Sequence, residues 1–143
     1  MTLQQIEKLD DAARKQLLDE AVSAAKNAYA PYSKFRVGAA VLGASGSVFR
    51  GANVENASYG LGTCAERVAL ATASAAGERN ILAIAIVCID AEQDSPLAMR
   101  APCGACRQWI QELAPSAEIV IWGEKRTFVI EDFLPIAFSL KAF

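Results

Sequence analysis

Two short segments carry three of the four cysteines of this chain, and one of them also carries a glutamate. Cys64 and Glu66 lie in the segment Cys-Ala-Glu, and Cys103 and Cys106 lie in the segment Cys-Gly-Ala-Cys. The chain contains no histidine, the residue most often used as a metal ligand and as a general base near neutral pH. Any metal must therefore be held by sulfur or carboxylate groups. Three thiolates around zinc, with Glu66 moving the proton of a water at the fourth position, satisfy these limits.

The positions of these cysteines predict that they form thiolates readily. Cys103 and Cys106 are three residues apart at the start of a predicted helix, so both thiols point in the same direction. Cys64 opens a second predicted helix, and the positive end of a helix lowers the pKa of a thiol. Three thiolates leave an excess negative charge on zinc, which weakens its ability to acidify water. Arg67 or Arg107 is a candidate to withdraw that charge by donating to sulfur.

Each segment alone has a simpler interpretation. Residues 63–66 fit the Ser/Thr-x-x-Glu capping box, in which Glu66 caps a helix. The pair Cys103 and Cys106 alone can be a redox dithiol. Neither explains a third cysteine beside a glutamate, so we favour a catalytic zinc site whose dry surroundings raise the pKa of Glu66. Cys88 lies within an apolar run and is interpreted as a small buried hydrophobic residue, not a fourth ligand.

Length and composition favour an intracellular globular protein. The 143 residues predict one domain over residues 1–143, able to bury roughly two thirds of its unfolded surface. No run approaches the roughly 20 apolar residues that cross a bilayer, and the polar start is no secretory signal. We therefore expect a cytoplasmic location, where cysteines favour metal binding over disulfides. A net charge of −2 without a basic cluster argues against nucleic-acid binding and favours a small substrate.

Hydrophobic spacing predicts five strands and three main helices, an α/β fold built as a three-layer α/β/α sandwich around a mixed five-stranded sheet. The nine apolar residues of segment 81–89 indicate a strand covered on both faces. The hairpin formed by the first two strands delivers Asn53 and Glu55 to a strand end. The predicted strands are 35–41, 48–54, 81–89, 118–122 and 127–130, and the predicted helices run from 10–11 to Pro31, over 63–76 and over 102–113.

The two cysteine segments resemble the zinc nucleoside deaminases, whose signature pairs His-x-Glu, or a three-cysteine variant of it, with Pro-Cys-x-x-Cys. Cys64 in place of histidine narrows the likeness to the three-cysteine branch. Segments 32–40, 53–59 and 137–138 also resemble the small homotetrameric cytidine deaminases, so the likeness covers nearly the whole chain. It implies a cytidine-deaminase-like fold, one zinc ion per subunit, and a homotetramer with its sites at subunit interfaces.

The resemblance also implies a reaction. Cys64, Cys103 and Cys106 would be the zinc ligands, Glu66 the catalytic proton shuttle, and Arg67 the arginine that supports the sulfurs. The implied activity is hydrolytic deamination of cytidine and 2′-deoxycytidine to the uridine forms with release of ammonia, a step of pyrimidine salvage. Deamination of a cytosine-containing antibiotic, editing of a polynucleotide, and a structural zinc or redox module without turnover are the alternatives. The acidic balance and short chain count against editing.

The implied substrate-binding residues come from several parts of the chain. Asn53 and Glu55 resemble the pair that holds the ribose hydroxyls, and Phe35 resembles the residue that packs on the pyrimidine ring. Without the resemblance, Phe35 would be interpreted as core and the other two as turn residues. Tyr59 and Phe138 resemble residues that reach the site of a neighbouring subunit. The complete set is Phe35, Asn53, Glu55, Tyr59, Ala65 and Phe138.

Overall fold

The computed structural model describes residues 9–92 and 94–140. These residues form five strands and three α-helices, which confirms the predicted α/β fold. The strands are β1 (Val37–Gly43), β2 (Val48–Ala52), β3 (Ile81–Cys88), β4 (Glu118–Ile121) and β5 (Thr127–Phe128), and the helices are α1 (Asp11–Ala25), α2 (Ala65–Ala75) and α3 (Gly104–Leu113).

The strands form one mixed sheet in the order β2-β1-β3-β4-β5. Strand β3 lies at its centre, antiparallel to β1 and parallel to β4, and every residue of β3 except Leu82 is buried. One core lies between α1 and the sheet, around Leu17 and Val87. The other contains residues of α2 and α3 packed on the opposite face, around Leu70 and Ile110. The layers are therefore helix, sheet and helix.

The end of the first helix differs from its prediction. Asp10 caps α1 as expected, because its side chain accepts a hydrogen bond from the Ala13 amide at 2.7 Å. The helix ends at Ala25 rather than at Pro31, so that prediction is wrong. The chain leaves the helix early because Tyr29 pairs with the segment after β2, where its amide donates to the Asn53 carbonyl at 2.9 Å. Such a distant pairing outweighs local helix propensity.

Two glycines allow helices to approach the sheet closely. A methyl group built at Gly51 in β2 would lie 2.3 Å from the Ala69 nitrogen and 2.5 Å from the Ala65 oxygen of α2. A methyl group built at Gly38 in β1 would lie 2.0 Å from the Ala21 oxygen of α1. These are backbone atoms, so neither clash is relieved by rotating a side chain. The start of α2 is therefore positioned by the absence of a side chain at Gly51.

This contact gives a stability prediction for Gly51→Ala. Because the added methyl group must displace helix backbone, we expect the free energy of unfolding to fall by about 2–3 kcal/mol. Gly60→Ala is the matched control, since a methyl group at Gly60 meets nothing within 4 Å. Urea denaturation of both variants measures the difference. Equal midpoints for the two variants would contradict the proposed close contact.

Within the described residues, no helix combines the length and the apolar character needed to cross a membrane.

Candidate metal centre

The first residues of α2 and α3 bring the two cysteine segments together. Cys64 is the N-cap of α2 and Cys103 is the N-cap of α3, while Cys106 lies in the first turn of α3. A two-way backbone pairing fixes the approach to α2, because the amides of Val54 and Thr63 each donate to the carbonyl of the other at 2.9 Å. The exit of β2 is thereby tied to the residue before Cys64.

The three sulfur atoms converge with the spacing of a tetrahedral zinc site. The Sγ atoms of Cys64 and Cys103 are 3.7 Å apart, and those of Cys103 and Cys106 are 3.5 Å apart. All three lie within 4.8 Å of one another. A Zn–S bond of about 2.3 Å in tetrahedral geometry separates two sulfurs by about 3.8 Å. The cluster is therefore able to hold a metal ion, and its donor set suits zinc.

The charges around the sulfurs also fit a cation. The pKa of the Cys64 thiol is lowered to about 5, first by a hydrogen bond from Cys106 and next, among the favourable contacts, by Arg67. The pKa of Cys106 is raised because it shares its proton with Cys64. One thiolate therefore forms readily, whereas further negative charge at this spacing requires a cation. A redox pair needs only two sulfurs, and it leaves the third one unexplained.

The two candidate arginines have different partners. Arg67 directs Nη2 toward the Cys64 sulfur at 3.7 Å, and its buried Nε has no hydrogen-bond partner among the described residues. Arg107 donates to the carbonyl oxygens of Pro102 and Phe133, at 2.7 and 2.8 Å. Arg107 therefore ties the start of α3 to the chain beyond β5, whereas Arg67 is the arginine beside the sulfurs.

Glu66 lies beside the sulfurs and does not cap its helix. The N-cap of α2 is Cys64, not Thr63, and no side chain caps the helix. Glu66 is only 4% exposed, and burial raises the pKa of its carboxyl group. It lines a cavity of about 170 Å³ together with three cysteines and residues from the first hairpin and β3. The cavity lining is Phe35, Val37, Asn53, Cys64, Ala65, Glu66, Ile86, Cys88, Met99, Arg100, Ala101 and Cys103.

Cys88 lies in the wall of this cavity and outside the sulfur cluster. It is 6% exposed at the end of β3, and the metal-binding group found among the described residues consists of the other three cysteines. Burial raises the pKa of the Cys88 thiol to about 12. It therefore remains a neutral thiol, as a small buried hydrophobic residue would.

The side chain of Asn53 performs a task that sequence reasoning missed. Its Oδ1 accepts a hydrogen bond from the Val37 amide at 2.8 Å, and its Nδ2 donates to the Phe35 carbonyl at 2.9 Å. Asn53 thus holds the backbone on both sides of Arg36. One Nδ2 hydrogen and one Oδ1 lone pair remain for other partners, so ribose binding by Asn53 stays a prediction.

Three other predicted substrate-binding residues lie outside the cavity lining. Glu55 and Tyr59 line a separate open cavity with Tyr32, and the rings of Tyr32 and Tyr59 meet edge-on with centroids 5.8 Å apart. Phe138 lies near α3, where its carbonyl accepts a hydrogen bond from Gln108 at 2.8 Å. Tyr59 and Phe138 are 78% and 70% exposed. The contact of these two residues with another subunit stays a prediction.

Comparison with known families identifies the class of protein that this site belongs to. A family model described as "Cytidine and deoxycytidylate deaminase zinc-binding region" matches residues 11–122. The chain therefore belongs to this family of zinc-binding deaminases, which are hydrolases acting on carbon–nitrogen bonds. The predicted family is confirmed.

Individual relatives carry the name cytidine deaminase. The enzyme of Halalkalibacterium halodurans is 47% identical over 130 residues, which cover 88% of this chain and 94% of that protein. The enzyme of Mycobacterium tuberculosis is 40% identical over 132 residues, which cover 92% of this chain and 94% of that protein. Both alignments span nearly all of each partner.

Solved structures of the same family confirm the fold. The cytidine deaminase from Burkholderia pseudomallei superimposes with a TM-score of 0.77 at 48% identity, covering 87% of this chain and 98% of that one. The cytidine deaminase from Mycobacterium tuberculosis superimposes with a TM-score of 0.75 at 36% identity, covering 92% and 100%. The predicted cytidine-deaminase-like fold is therefore correct.

Proposed function

We propose that this protein catalyses the zinc-dependent hydrolytic deamination of cytidine and 2′-deoxycytidine, giving uridine or 2′-deoxyuridine and ammonia. The observation that carries the proposal is the convergence of three cysteine sulfurs at tetrahedral zinc spacing beside a buried glutamate in one cavity. Family membership supports the reaction class. The names of the relatives support cytidine as the substrate.

In this proposal Cys64, Cys103 and Cys106 are the ligands of one zinc ion per chain. When bound, zinc supplies a Lewis acid that lowers the pKa of a water molecule at its fourth position. Arg67 donates to the Cys64 sulfur and withdraws negative charge from the ligand set. Because the chain contains no histidine that could act as a general base, the proton transfers are assigned to the neighbouring carboxylate.

Glu66 is proposed to move the protons. Its carboxylate accepts a proton from the attacking water and delivers it to the ring nitrogen next to the amino-bearing carbon. The oxygen of that water bonds to the amino-bearing carbon. Glu66 then takes the second proton from this oxygen and passes it to the amine, which leaves as ammonia when the carbon–nitrogen bond breaks and the carbonyl forms. One carboxylate thus acts in turn as base and as acid. Burial, which raises its pKa, suits a group that must both take and release a proton near neutral pH.

The rest of the cavity is proposed to bind the nucleoside. Phe35 and Ala65 line it and would contact the pyrimidine ring. Asn53, which also lines it, and Glu55, which lies outside its lining, would hold the ribose hydroxyls. The carboxylate of Glu55 accepts only hydrogen bonds, and the amide of Asn53 both donates and accepts, so together they suit hydroxyl groups. A plain nucleoside is therefore favoured over an antibiotic whose sugar lacks these hydroxyls.

A direct assay tests the proposed function. Zinc-loaded protein is incubated with cytidine and with 2′-deoxycytidine, and the loss of ultraviolet absorbance is followed while released ammonia is measured. The proposal expects one ammonia per nucleoside consumed. Zinc-loaded protein that leaves both nucleosides intact would contradict it and favour a structural zinc module.

We further propose that the active form is a homotetramer with sites at subunit interfaces. The described surface exposes several large apolar side chains, among them Tyr59, Phe138, Ile136 and Leu140, and such exposure is typical of association surfaces. Tyr59 and Phe138 would then reach the site of a neighbouring subunit. Sedimentation velocity tests this proposal, and a monomer would contradict it.

We also propose that residues 1–143 form a single domain. The proposed location is the cytoplasm, and the proposed metabolic role is pyrimidine salvage.

The positions of the two arginines give a second prediction. Arg67→Gln removes the donor to sulfur, so we expect kcat to fall by about 10-fold or more while one zinc per chain is retained. Arg107→Gln removes two bonds to backbone carbonyls and is expected to lower Tm with a smaller effect on kcat. Steady-state kinetics, zinc analysis and thermal melts separate the two outcomes. A normal kcat for Arg67→Gln would contradict the role of Arg67.

A further inference from the structure

The segment that carries Phe35 is connected to Glu55 by the Ser33 hydroxyl group and by two backbone amides. Ser33 Oγ donates to Glu55 Oε2 at 2.5 Å and accepts a hydrogen bond from the Phe35 amide at 3.0 Å. The other carboxylate oxygen, Oε1, accepts from the amides of Tyr32 and Ser33 at 3.0 and 3.1 Å. A serine hydroxyl has one hydrogen to donate, and here that hydrogen is used on Glu55.

The backbone at Lys34, between Ser33 and Phe35, has an unfavourable conformation that other contacts must stabilise. Lys34 has φ of 57°, a left-handed conformation that a residue with a Cβ adopts only at a cost. The bond from the Phe35 amide to Ser33 Oγ spans Lys34 and closes the turn, as serine does in turns of this kind. Without that bond, the turn can relax and Phe35 can move.

We propose that Ser33 is a positioning residue of the nucleoside pocket, whose hydroxyl holds the Glu55 carboxylate and the Phe35 backbone as one unit. The inference rests on the proposed function, in which Glu55 binds ribose and Phe35 contacts the ring. Asn53 holds the far side of Phe35, so Ser33 and Asn53 fix the segment from opposite ends. Ser33 does not line the cavity beside the sulfurs, so its proposed role is exerted through Glu55 and Phe35.

The variants Ser33→Ala and Ser33→Thr test this role. The alanine variant is expected to raise KM for cytidine by about 10-fold, as for one hydrogen bond to a charged group, with kcat nearly unchanged. The threonine variant keeps the hydroxyl at an exposed position and is expected to restore KM. With 2′,3′-dideoxycytidine, which lacks the 2′ and 3′ hydroxyls of the sugar, the alanine substitution is expected to change KM less.

The pH dependence supplies a second readout. The Ser33 hydroxyl is the first cause that holds the pKa of Glu55 below its usual range. Lys34 is the nearby positive charge that acts in the same direction, and Tyr32 and Tyr59 are the titratable side chains lining the same cavity. Ser33→Ala removes the main stabilisation of the ionised carboxylate, so the pKa of Glu55 rises. The pH below which KM for cytidine begins to rise is therefore expected to move upward.

The chain offers a matched control in another turn. Ser45 Oγ donates to Glu78 at 2.5 Å and accepts from the Ser47 amide at 3.3 Å, which is the same arrangement in the turn between β1 and β2. Ser45→Ala is expected to leave KM and the pH profile as in the wild type.

Several results would overturn the inference. The first is a wild-type KM for cytidine in Ser33→Ala, and the second is a raised KM that Ser33→Thr does not restore. The others are a rise in KM that Ser45→Ala shares and an equal rise in KM with the dideoxynucleoside. A wild-type protein that leaves cytidine intact instead contradicts the proposed function, on which the inference rests. An active wild type matched in KM and pH profile by Ser33→Ala contradicts the inference alone.

Discussion

Glu66→Gln is expected to reduce kcat by about 10³- to 10⁴-fold while the fold and the zinc content stay as in the wild type. The amide is nearly isosteric with the carboxyl group, so the buried position can accept it. The glutamine side chain can neither accept a proton from water nor deliver one to the leaving amine. Cytidine turnover, zinc analysis and circular dichroism of the same preparation measure the three quantities.

The matched control is Glu131→Gln, an identical change at an exposed position outside the cavity lining. It is expected to keep wild-type turnover. If Glu66→Gln retained near-normal kcat, the proton-shuttle role would be wrong and another group would have to move the protons. If Glu66→Gln lost its zinc, the loss of activity would say nothing about proton transfer, and the prediction that the three cysteines suffice to hold the ion would be wrong.

Removal of zinc is expected to abolish turnover and to lower Tm by about 10 °C. The ion would join the starts of α2 and α3, whose cysteines Cys64 and Cys103 are 39 positions apart in the chain. The ion would therefore close a long loop in addition to neutralising the charge of the thiolates. Dialysis against a chelator, thermal melts and activity measurements before and after zinc is returned test the expectation.

Two cysteine variants control this experiment. Cys106→Ala removes a ligand and is expected to lose zinc, whereas Cys88→Ala changes a thiol outside the cluster and is expected to keep one zinc per chain. A Tm that does not change when zinc analysis shows complete removal would contradict the stabilising role. Zinc loss in Cys88→Ala would contradict the assignment of three ligands.

The metal site was predictable from the sequence because its signals are local. The spacing of Cys103 and Cys106 and the positions of Cys64 and Glu66 relative to predicted helix starts required no knowledge of distant contacts. The buried strand β3 was equally accessible, since a run of apolar residues bounded by polar ones indicates burial on both faces. The resemblance to a family then joined segments that local patterns leave separate.

The features that sequence reasoning missed depend on contacts between distant residues. The end of α1 is accompanied by pairing of Tyr29 with the chain after β2, a distant contact that local spacing does not reveal. The amide of Asn53 is bonded to residues 16 and 18 positions earlier, and Glu55 to residues 22 and 23 positions earlier. The choice between Arg67 and Arg107 likewise required knowing which acceptors lie nearby.

The close approach of the helices at Gly38 and Gly51 limits how this enzyme can be engineered for heat tolerance. Replacing glycine by alanine is a common way to stiffen an unfolded chain, but here the new methyl groups would collide with α1 and α2. Gly51 lies against Ala65, the residue between Cys64 and Glu66. A substitution at Gly51 that is meant to raise stability would therefore displace the active-site residues and lower activity. Exposed glycines such as Gly60 are the better targets.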